Sequence, residues 1–199
     1  MSRFFVGIDE VGRGPLAGPV AVCAFCLKEE LLEDFVKEIF GGKIRDSKKL
    51  TKKKREEIAE IITQKKKEGL LDFKISTAEA VVIDKYGINP SIKKSLEKSI
   101  LGLGLDPKFT LVFLDGGLKA PEEFVNQETI IKGDSSNALI AVASILAKVY
   151  RDTLMIKYAK EYTQYKFESN MGYGTKAHMD ALREVGISPI HRVSYLSNL

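Results

Sequence analysis

Two short apolar runs rich in β-branched and aromatic residues, Phe4 to Asp9 and Val20 to Leu27, flank a connection holding three glycines and two prolines, Gly12-Arg-Gly-Pro-Leu-Ala-Gly-Pro19. Runs of that length and composition are strands, and a Gly/Pro-rich link between them reads as a hairpin. Beyond Leu27 the chain alternates helical and strand-like patterns. An antiparallel start continued in that way specifies an α/β domain with a mixed sheet.

Thr51 is placed to cap a helix through about Lys67, whose apolar stripe is Ile58, Ile61 and Ile62, and a strand from Leu71 to Ser76 follows Gly69. Helical patterns occupy Thr77 to Lys85 and, after Asn89-Pro90, Ser91 to Leu103. Phe109 to Leu114 reads as an interior strand and Val125 to Ile131 as another. Ser135 or Ser136 begins a long helix, Asn137 to about Lys160, whose first half is apolar enough to be buried. Gly172-Tyr-Gly-Thr175 is a loop, and Lys176 to Val185 a last helix ahead of Gly186. No internal repeat or linker interrupts the chain. The segment beyond about residue 150 is less apolar, which predicts a small helical C-terminal extension.

The chain has 199 residues, 44% hydrophobic and 29% charged, enough to bury a core in one domain and incompatible with collagen or disorder. No stretch approaches the roughly 18 apolar residues of a membrane helix, and the first ten residues reach acid too early for a signal peptide. The expected location is the cytoplasm, with no membrane partner. Cys23 and Cys26 lie within a strand on opposite faces, so they are read as packing thiols and not as redox or zinc ligands. The net charge of +4 names no partner, but its distribution does. From Lys43 to Lys67 there are 11 Lys and Arg against four Asp and Glu, a local +7 that leaves −3 for the rest. A basic stretch on a slightly acidic body suits a metal-dependent enzyme acting on a phosphate polymer.

The acids have a pattern of their own. Asp9-Glu10 ends the first strand, Asp115 ends Leu111-Val-Phe-Leu just before Gly116-Gly117, and Asp134 follows Ile130-Ile131-Lys-Gly. Each alone is compatible with a turn or a helix cap. Together they are carboxylates at strand ends, where open α/β sheets carry their chemistry. Clustered carboxylates repel unless a cation holds them, and oxygen ligands with few histidines point to Mg²⁺ or Mn²⁺. Adjacent strand residues face opposite ways, so Asp9 and Glu10 reach one ion only if the strand turns, which Gly12 permits. Asp152 lies 18 residues beyond Asp134, roughly 27 Å along one helix, and is read as structural, pairing with Arg151 or a neighbouring segment. His178 and His191 are read as structural or phosphate-contacting, since hard cations prefer oxygen.

Gly12 to Gly18 is not a dinucleotide fingerprint, because its spacing is G-x-G-x-x-x-G and it leads into a strand, and it lacks a P-loop ending. It is a tight turn, or a turn whose bare N–H groups lie against a sugar and its phosphate. In Asp46-Ser-Lys-Lys-Leu-Thr-Lys-Lys-Lys-Arg55, Lys52 and Lys53 can pair with Glu56 and Glu57 on a solvated helix face. Lys48 and Lys49 precede the helix without such partners and are the better candidates for phosphate contacts.

The motifs Gly7-Ile-Asp-Glu-Val-Gly-Arg-Gly-Pro-Leu-Ala-Gly-Pro-Val20, Asp46-Ser-Lys-Lys-Leu50, Leu114-Asp-Gly116, Lys132-Gly-Asp134, Ala143-Ser-Ile-Leu-Ala-Lys-Val-Tyr-Arg-Asp152, Gly172-Tyr-Gly-Thr175 and His191-Arg192, in this order over nearly the whole chain, resemble ribonuclease HII. The resemblance implies a ribonuclease H-like fold: a five-stranded mixed sheet flanked by helices over 1–160, with a helical C-terminal extension over 161–199. It implies an endonuclease, a monomer, that hydrolyses the RNA strand of RNA/DNA hybrids and incises at single ribonucleotides embedded in duplex DNA. It assigns Asp9, Glu10, Asp115 and Asp134 to two divalent ions, Mg²⁺ or Mn²⁺, leaving 3′-hydroxyl and 5′-phosphate ends. Substrate would be read by Gly12, Arg13 and Gly14 through their backbone at the ribose 2′-hydroxyl, by Tyr173 packing on the neighbouring deoxyribose, and by Ser47, Lys48 and Lys49. The tail Ser194-Tyr-Leu-Ser-Asn-Leu199 departs from the pattern in showing no sliding-clamp peptide, so recruitment by a clamp is not expected.

Overall fold

The computed structural model describes residues 3–42 and 50–196. Strand β1 (Phe4–Val11) pairs antiparallel with β2 (Val20–Lys28), which is the expected hairpin. Helix α1 (Leu32–Phe40) and helix α2 (Lys52–Lys67) precede β3 (Leu71–Ala78), which lies antiparallel on β2. Helices α3 (Ala80–Tyr86) and α4 (Ile88–Leu101) lead to β4 (Thr110–Asp115), parallel to β1, and β5 (Gln127–Ile130) is parallel to β4. A short helix α5 (Gly133–Ser136) precedes the long α6 (Ala138–Glu161), and α7 (Phe167–Asn170) and α8 (Lys176–Val185) come after it. The sheet order is β3-β2-β1-β4-β5, a five-stranded mixed sheet between helices.

Both faces of the sheet are covered, so the central strands are apolar on both sides. Cys23, Phe25 and Leu27 face one core with α1, α2 and α6, while Val22, Ala24 and Cys26 face another with α3 and α4. The two cysteines are free, buried and on opposite faces, as expected. Helix α6 crosses β1 so closely that a methyl group on Gly7 would fall 2.2 Å from the Leu139 carbonyl carbon. A third core joins the end of α6 to the hairpin link through Ala17, Met155, Tyr165, Phe167 and Leu182.

Helix starts follow local chemistry. Thr51 caps α2, its hydroxyl accepting from the Lys54 N–H at 3.2 Å. The cap of α6 is Asn137, accepting from Leu139 and Ile140 at 3.0 and 3.2 Å, and not Ser135 or Ser136, because those serines sit in the separate turn of α5. Three other expectations are corrected, and one helix is added. Thr77 and Ala78 complete β3 instead of opening a helix, since β2 still offers Ala21 and Val20 as ladder partners. Helix α4 begins at Ile88, ahead of Asn89-Pro90, because proline in a first turn loses no hydrogen bond. Ile61 is 41% exposed, and Ala59 joins Ile58 and Ile62 in packing α2. Helix α1 was not anticipated, although Phe35, Ile39 and Phe40 are helically spaced and buried. Among the described residues no helix is long and apolar enough to cross a membrane.

Candidate active site

Parallel pairing of β1 with β4 places the ends of both strands at one edge of the sheet. The last pair in register is Ile8 with Leu114, so Asp9 and Asp115 are the next residues of adjacent strands. Alternation along β1 sends Val6 and Ile8 to the α4 side, hence Asp9 to the α6 side and Glu10 to the α4 side. No turn before Val11 brings Asp9 and Glu10 to one face, contrary to the expectation for Gly12. They share a cleft nevertheless, because it opens around the strand end: about 550 Å³, walled by Asp9, Glu10, Asp115, the Gly12–Gly14 loop, Ser144, Lys148 and Tyr173.

Burial governs the charges. Asp9, 5% exposed, has its carboxyl pushed up to about 8, first by burial and then by the charges of Glu10 and Asp115. The Ser144 hydroxyl and the Glu10 N–H, which donates to Oδ1 at 2.8 Å, oppose that rise. Glu10 is raised by burial and opposed by Arg13, whose Nε pairs with Oε1, while Oε2 is buried with no hydrogen-bond partner among the described residues. The Gly133 N–H donates to Asp115 Oδ1 at 2.6 Å, and Asp134, next in the chain, is buried at 3% exposure.

A divalent cation suits these residues: the donors are hard carboxylate oxygens, one of them, Glu10 Oε2, buried and without a partner among the described residues, and mutual repulsion already penalises their ionisation. Among the described residues no three His, Cys, Asp or Glu side chains yet stand close enough to share one ion. Glu10 is turned to Arg13.

The hairpin link shows how a chain exposes its own N–H groups. Gly12 has φ of +100°, and a Cβ there would lie 2.4 Å from Arg151 Nε. The carbonyls of Gly12 and Arg13 accept from the Arg192 guanidinium, while the N–H groups of Gly12, Arg13 and Gly14 have no acceptor among the described residues. Opposite them stands Tyr173, 43% exposed, whose Cε1 would be 3.9 Å from a methyl group on Gly14. The two loops are tied directly, the Leu16 N–H donating to the Gly172 carbonyl at 2.8 Å.

The sequence-predicted residues Asp9, Glu10, Asp115, Gly12, Arg13, Gly14 and Tyr173 therefore converge on one cleft, and Asp134 is buried next to Gly133, which is bonded to Asp115. Ser47, Lys48 and Lys49 lie outside the described residues. Arg55, Ser144 and Lys148 also reach the cleft, and sequence reasoning did not select them. Asp152 pairs with Lys148 at 2.8 Å, one turn along α6, and not with Arg151, whose guanidinium is taken up by carbonyls. The spacing Ser144, Lys148, Asp152 was the available signal, since residues four apart share a helix face.

A family model described as Ribonuclease HII matches residues 6–198. The chain is 46% identical over 197 residues to the Ribonuclease HII of Clostridium perfringens strain 13, covering 99% of this chain and 68% of the relative. It is 41% identical to the Ribonuclease HII of Caldicellulosiruptor bescii, covering 99% and 88%. Among solved structures, its fold is similar to that in the PCNA:RNase HII complex from Archaeoglobus fulgidus, with TM-score 0.73, 24% identity and 95% and 93% of the two chains covered. Ribonuclease H2 from Pyrococcus horikoshii OT3 is similar at TM-score 0.70, 22% identity and 96% and 93% coverage.

Proposed function

This chain belongs to the ribonuclease HII family, and from that premise we propose that it hydrolyses the RNA strand of RNA/DNA hybrids and incises at single ribonucleotides embedded in duplex DNA. It is an endoribonuclease, a phosphodiester hydrolase. The observation that carries the finer reading is the juxtaposition, across one cleft, of Asp9 and Asp115 at parallel strand ends with a loop of unpartnered N–H groups and the ring of Tyr173.

Asp9, Glu10, Asp115 and Asp134 would hold two divalent ions, Mg²⁺ or Mn²⁺, which when bound supply an activated water and neutralise charge at the leaving 3′ oxygen. Asp115 is aimed by the Gly133 N–H and Asp9 by the Ser144 hydroxyl, so neither side chain must search for its orientation. Glu10, whose Oε1 is held by Arg13, would contribute its carboxylate oxygens to the same ions. Lys148 lines the cleft with its ammonium paired to Asp152, and that positive charge would contact a backbone phosphate. The Gly12–Gly14 N–H groups suit the acceptor lone pairs of a 2′-hydroxyl, the atom that separates RNA from DNA, and read it without regard to base. Tyr173 would pack on the adjoining deoxyribose, and Ser47, Lys48 and Lys49 would extend the phosphate contacts. In this reading residues 1–160 are the catalytic domain and 161–199 a helical extension packed on it, and the enzyme works as a cytoplasmic monomer leaving 3′-hydroxyl and 5′-phosphate ends.

A labelled DNA duplex carrying one ribonucleotide tests the proposal. With Mn²⁺ or Mg²⁺, one cut adjoining the ribonucleotide is expected, with none in an all-DNA control. Cleavage of the control, or binding without products, would overturn it in favour of a DNA nuclease of the same fold or a silent hybrid-binding module.

A further inference from the structure

Beneath the cleft, one dipeptide of the C-terminal segment reaches both sides of the substrate-reading surface. Ile190 to Arg192 lies along the hairpin link: the Gly18 N–H donates to the Ile190 carbonyl and the Arg192 N–H to the Leu16 carbonyl, each at 2.8 Å, with Ala17 and His191 bridged antiparallel. Beyond it, Asp84 of α3 accepts from the Val193 and Ser194 N–H groups at 2.9 and 3.0 Å. From this anchored backbone the two side chains diverge.

Arg192 turns toward the glycine loop. Its guanidinium, wholly buried, donates to the Gly12 carbonyl at 2.7 Å, to the Arg13 carbonyl at 2.9 Å, and twice to the Gly18 carbonyl, at 2.9 and 3.0 Å. Among the described residues no carboxylate stands within ion-pair distance of it. Its other neighbour is the Tyr195 ring, 5.2 Å from the guanidinium carbon, and a buried charge held by carbonyls and one ring, without an ion pair among the described residues, is an expensive way to stabilise a fold. It is an effective way to fix which way each carbonyl points, and so to leave the N–H groups of Gly12, Arg13 and Gly14 facing the cleft.

His191 turns the other way, and its hydrogen bonds admit one arrangement of protons. The Tyr173 carbonyl can only accept, so the His178 Nδ1, 2.9 Å away, carries a proton. A neutral His178 then presents Nε2 as an acceptor, and the His191 Nε2 at 3.0 Å must donate to it. His191 Nδ1 is thereby left to accept the Ser188 N–H and hydroxyl at 2.9 and 2.8 Å. Both imidazoles are buried beside Tyr165 and Phe167, with ring centroids 4.7 Å apart for Tyr165 and His191 and 5.3 Å apart for Phe167 and His178. The relay runs without a gap from Ser188 through both histidines to the backbone of Tyr173.

We propose that His191 and Arg192 are positioning residues that set the spacing between the Gly12–Gly14 backbone and Tyr173, and so determine how well the enzyme reads one ribonucleotide in DNA. The inference rests on the assignment of Gly12–Gly14 and Tyr173 as the substrate-reading groups. A duplex with one ribonucleotide offers a single 2′-hydroxyl, so misplacement of the reader falls on that substrate. A long RNA/DNA hybrid offers many registers and tolerates a looser reader.

The test is kcat and KM on both substrates for His191→Leu, His191→Gln, Arg192→Lys and Tyr173→Ala, with thermal unfolding of each. Glutamine can place an N–H near the Nε2 of His191, whereas leucine cannot. Expected are a rise in KM of roughly tenfold or more on the single-ribonucleotide duplex for His191→Leu and Arg192→Lys, a change under about threefold on the long hybrid, and recovery in His191→Gln. Equal losses on both substrates, or no recovery with glutamine, would reduce the dipeptide to a structural role and overturn the proposal. If His191→Leu does not fold, Arg192→Lys and His191→Gln decide it by the same criteria. Should Tyr173→Ala lose more activity on the single-ribonucleotide duplex than on the long hybrid while Arg192→Lys and His191→Leu do not, the positioning inference fails and the reading groups stand. Should Tyr173→Ala affect both substrates equally, the assignment of the reading groups fails and this inference with it.

Discussion

The Gly133 N–H donates to Asp115 Oδ1 at 2.6 Å, so the turn that carries Asp134 is fastened to the strand end that carries Asp115. One backbone amide thus sets one carboxylate against Asp9 and fixes where the next acid enters. The arrangement separates the geometry of the site, held by neutral hydrogen bonds, from its charge, which a cation would balance.

Replacing Asp115 by Asn keeps an oxygen able to accept from Gly133 but removes the negative charge. Cleavage is expected to fall roughly a thousandfold or more, since each ~1.4 kcal/mol of lost transition-state stabilisation costs a factor of ten. Hybrid binding and the unfolding midpoint should stay close to wild type. Turnover near the wild-type rate, measured under single-turnover conditions, would remove Asp115 from the metal site.

Gly12→Ala should cost both stability and activity. Its φ of +100° disfavours any side chain, and the added methyl would lie 2.4 Å from Arg151 Nε and 2.9 Å from the Pro19 carbonyl. A loss of about 1–3 kcal/mol is expected from urea unfolding. An unchanged midpoint with full activity would mean that the loop does not need this backbone conformation.

Stability should fall on acidification through the paired imidazoles. His191 is held down to about 4, by burial first and then by His178, which burial also lowers. The unfolded chain takes up these protons near 6.5 and the folded one does not, so stability is lost as pH falls from about 6.5 toward 4 and is unaffected above about 7. Asp9, pushed up to about 8, contributes a slope of opposite sign, so the comparison is wild type against His191→Gln, in which Asp9 is common. Between pH 7.5 and 4.5 the wild-type Tm should drop by roughly 5 °C more than that of the variant. Parallel curves would show that His191 takes up its proton in the folded state.

Lys148→Ala removes a cleft charge and leaves Asp152, 9% exposed, without its partner. The slope of log affinity against log salt should fall by about one, and Lys148→Ala with Asp152→Asn should recover part of the stability lost in the single variant. Lys48→Ala with Lys49→Ala should lower the same slope without touching Asp152. A wild-type slope in either set would exclude those lysines from phosphate contact.

Much of this protein is written locally. Short continuous apolar runs mark β1, β2 and β4, Thr51 marks the start of α2, and acids end the β1 and β4 runs. Such features survive in sequence because a strand repeats every two residues, a helix every 3.6, and a cap acts within one turn. Even Asn137 was within reach, its Asx chemistry lying one residue past the serines.

The tertiary structure alone decided what each charged group answers to. Glu10 turns to Arg13 because β1 runs straight through Val11. Asp152 takes Lys148 because Arg151 is already committed to the carbonyls of Ala17, Pro19 and Met171. Arg192 reaches Gly12 and Arg13 across nearly the whole chain, and two histidines read as structural or phosphate-contacting prove to be hydrogen-bonded to each other. The physical reason is that these partners are backbone carbonyls and amides, which every residue carries. A side chain seeking such a partner leaves no mark on the sequence at the other end, and only the folded chain brings the two within 3 Å of each other.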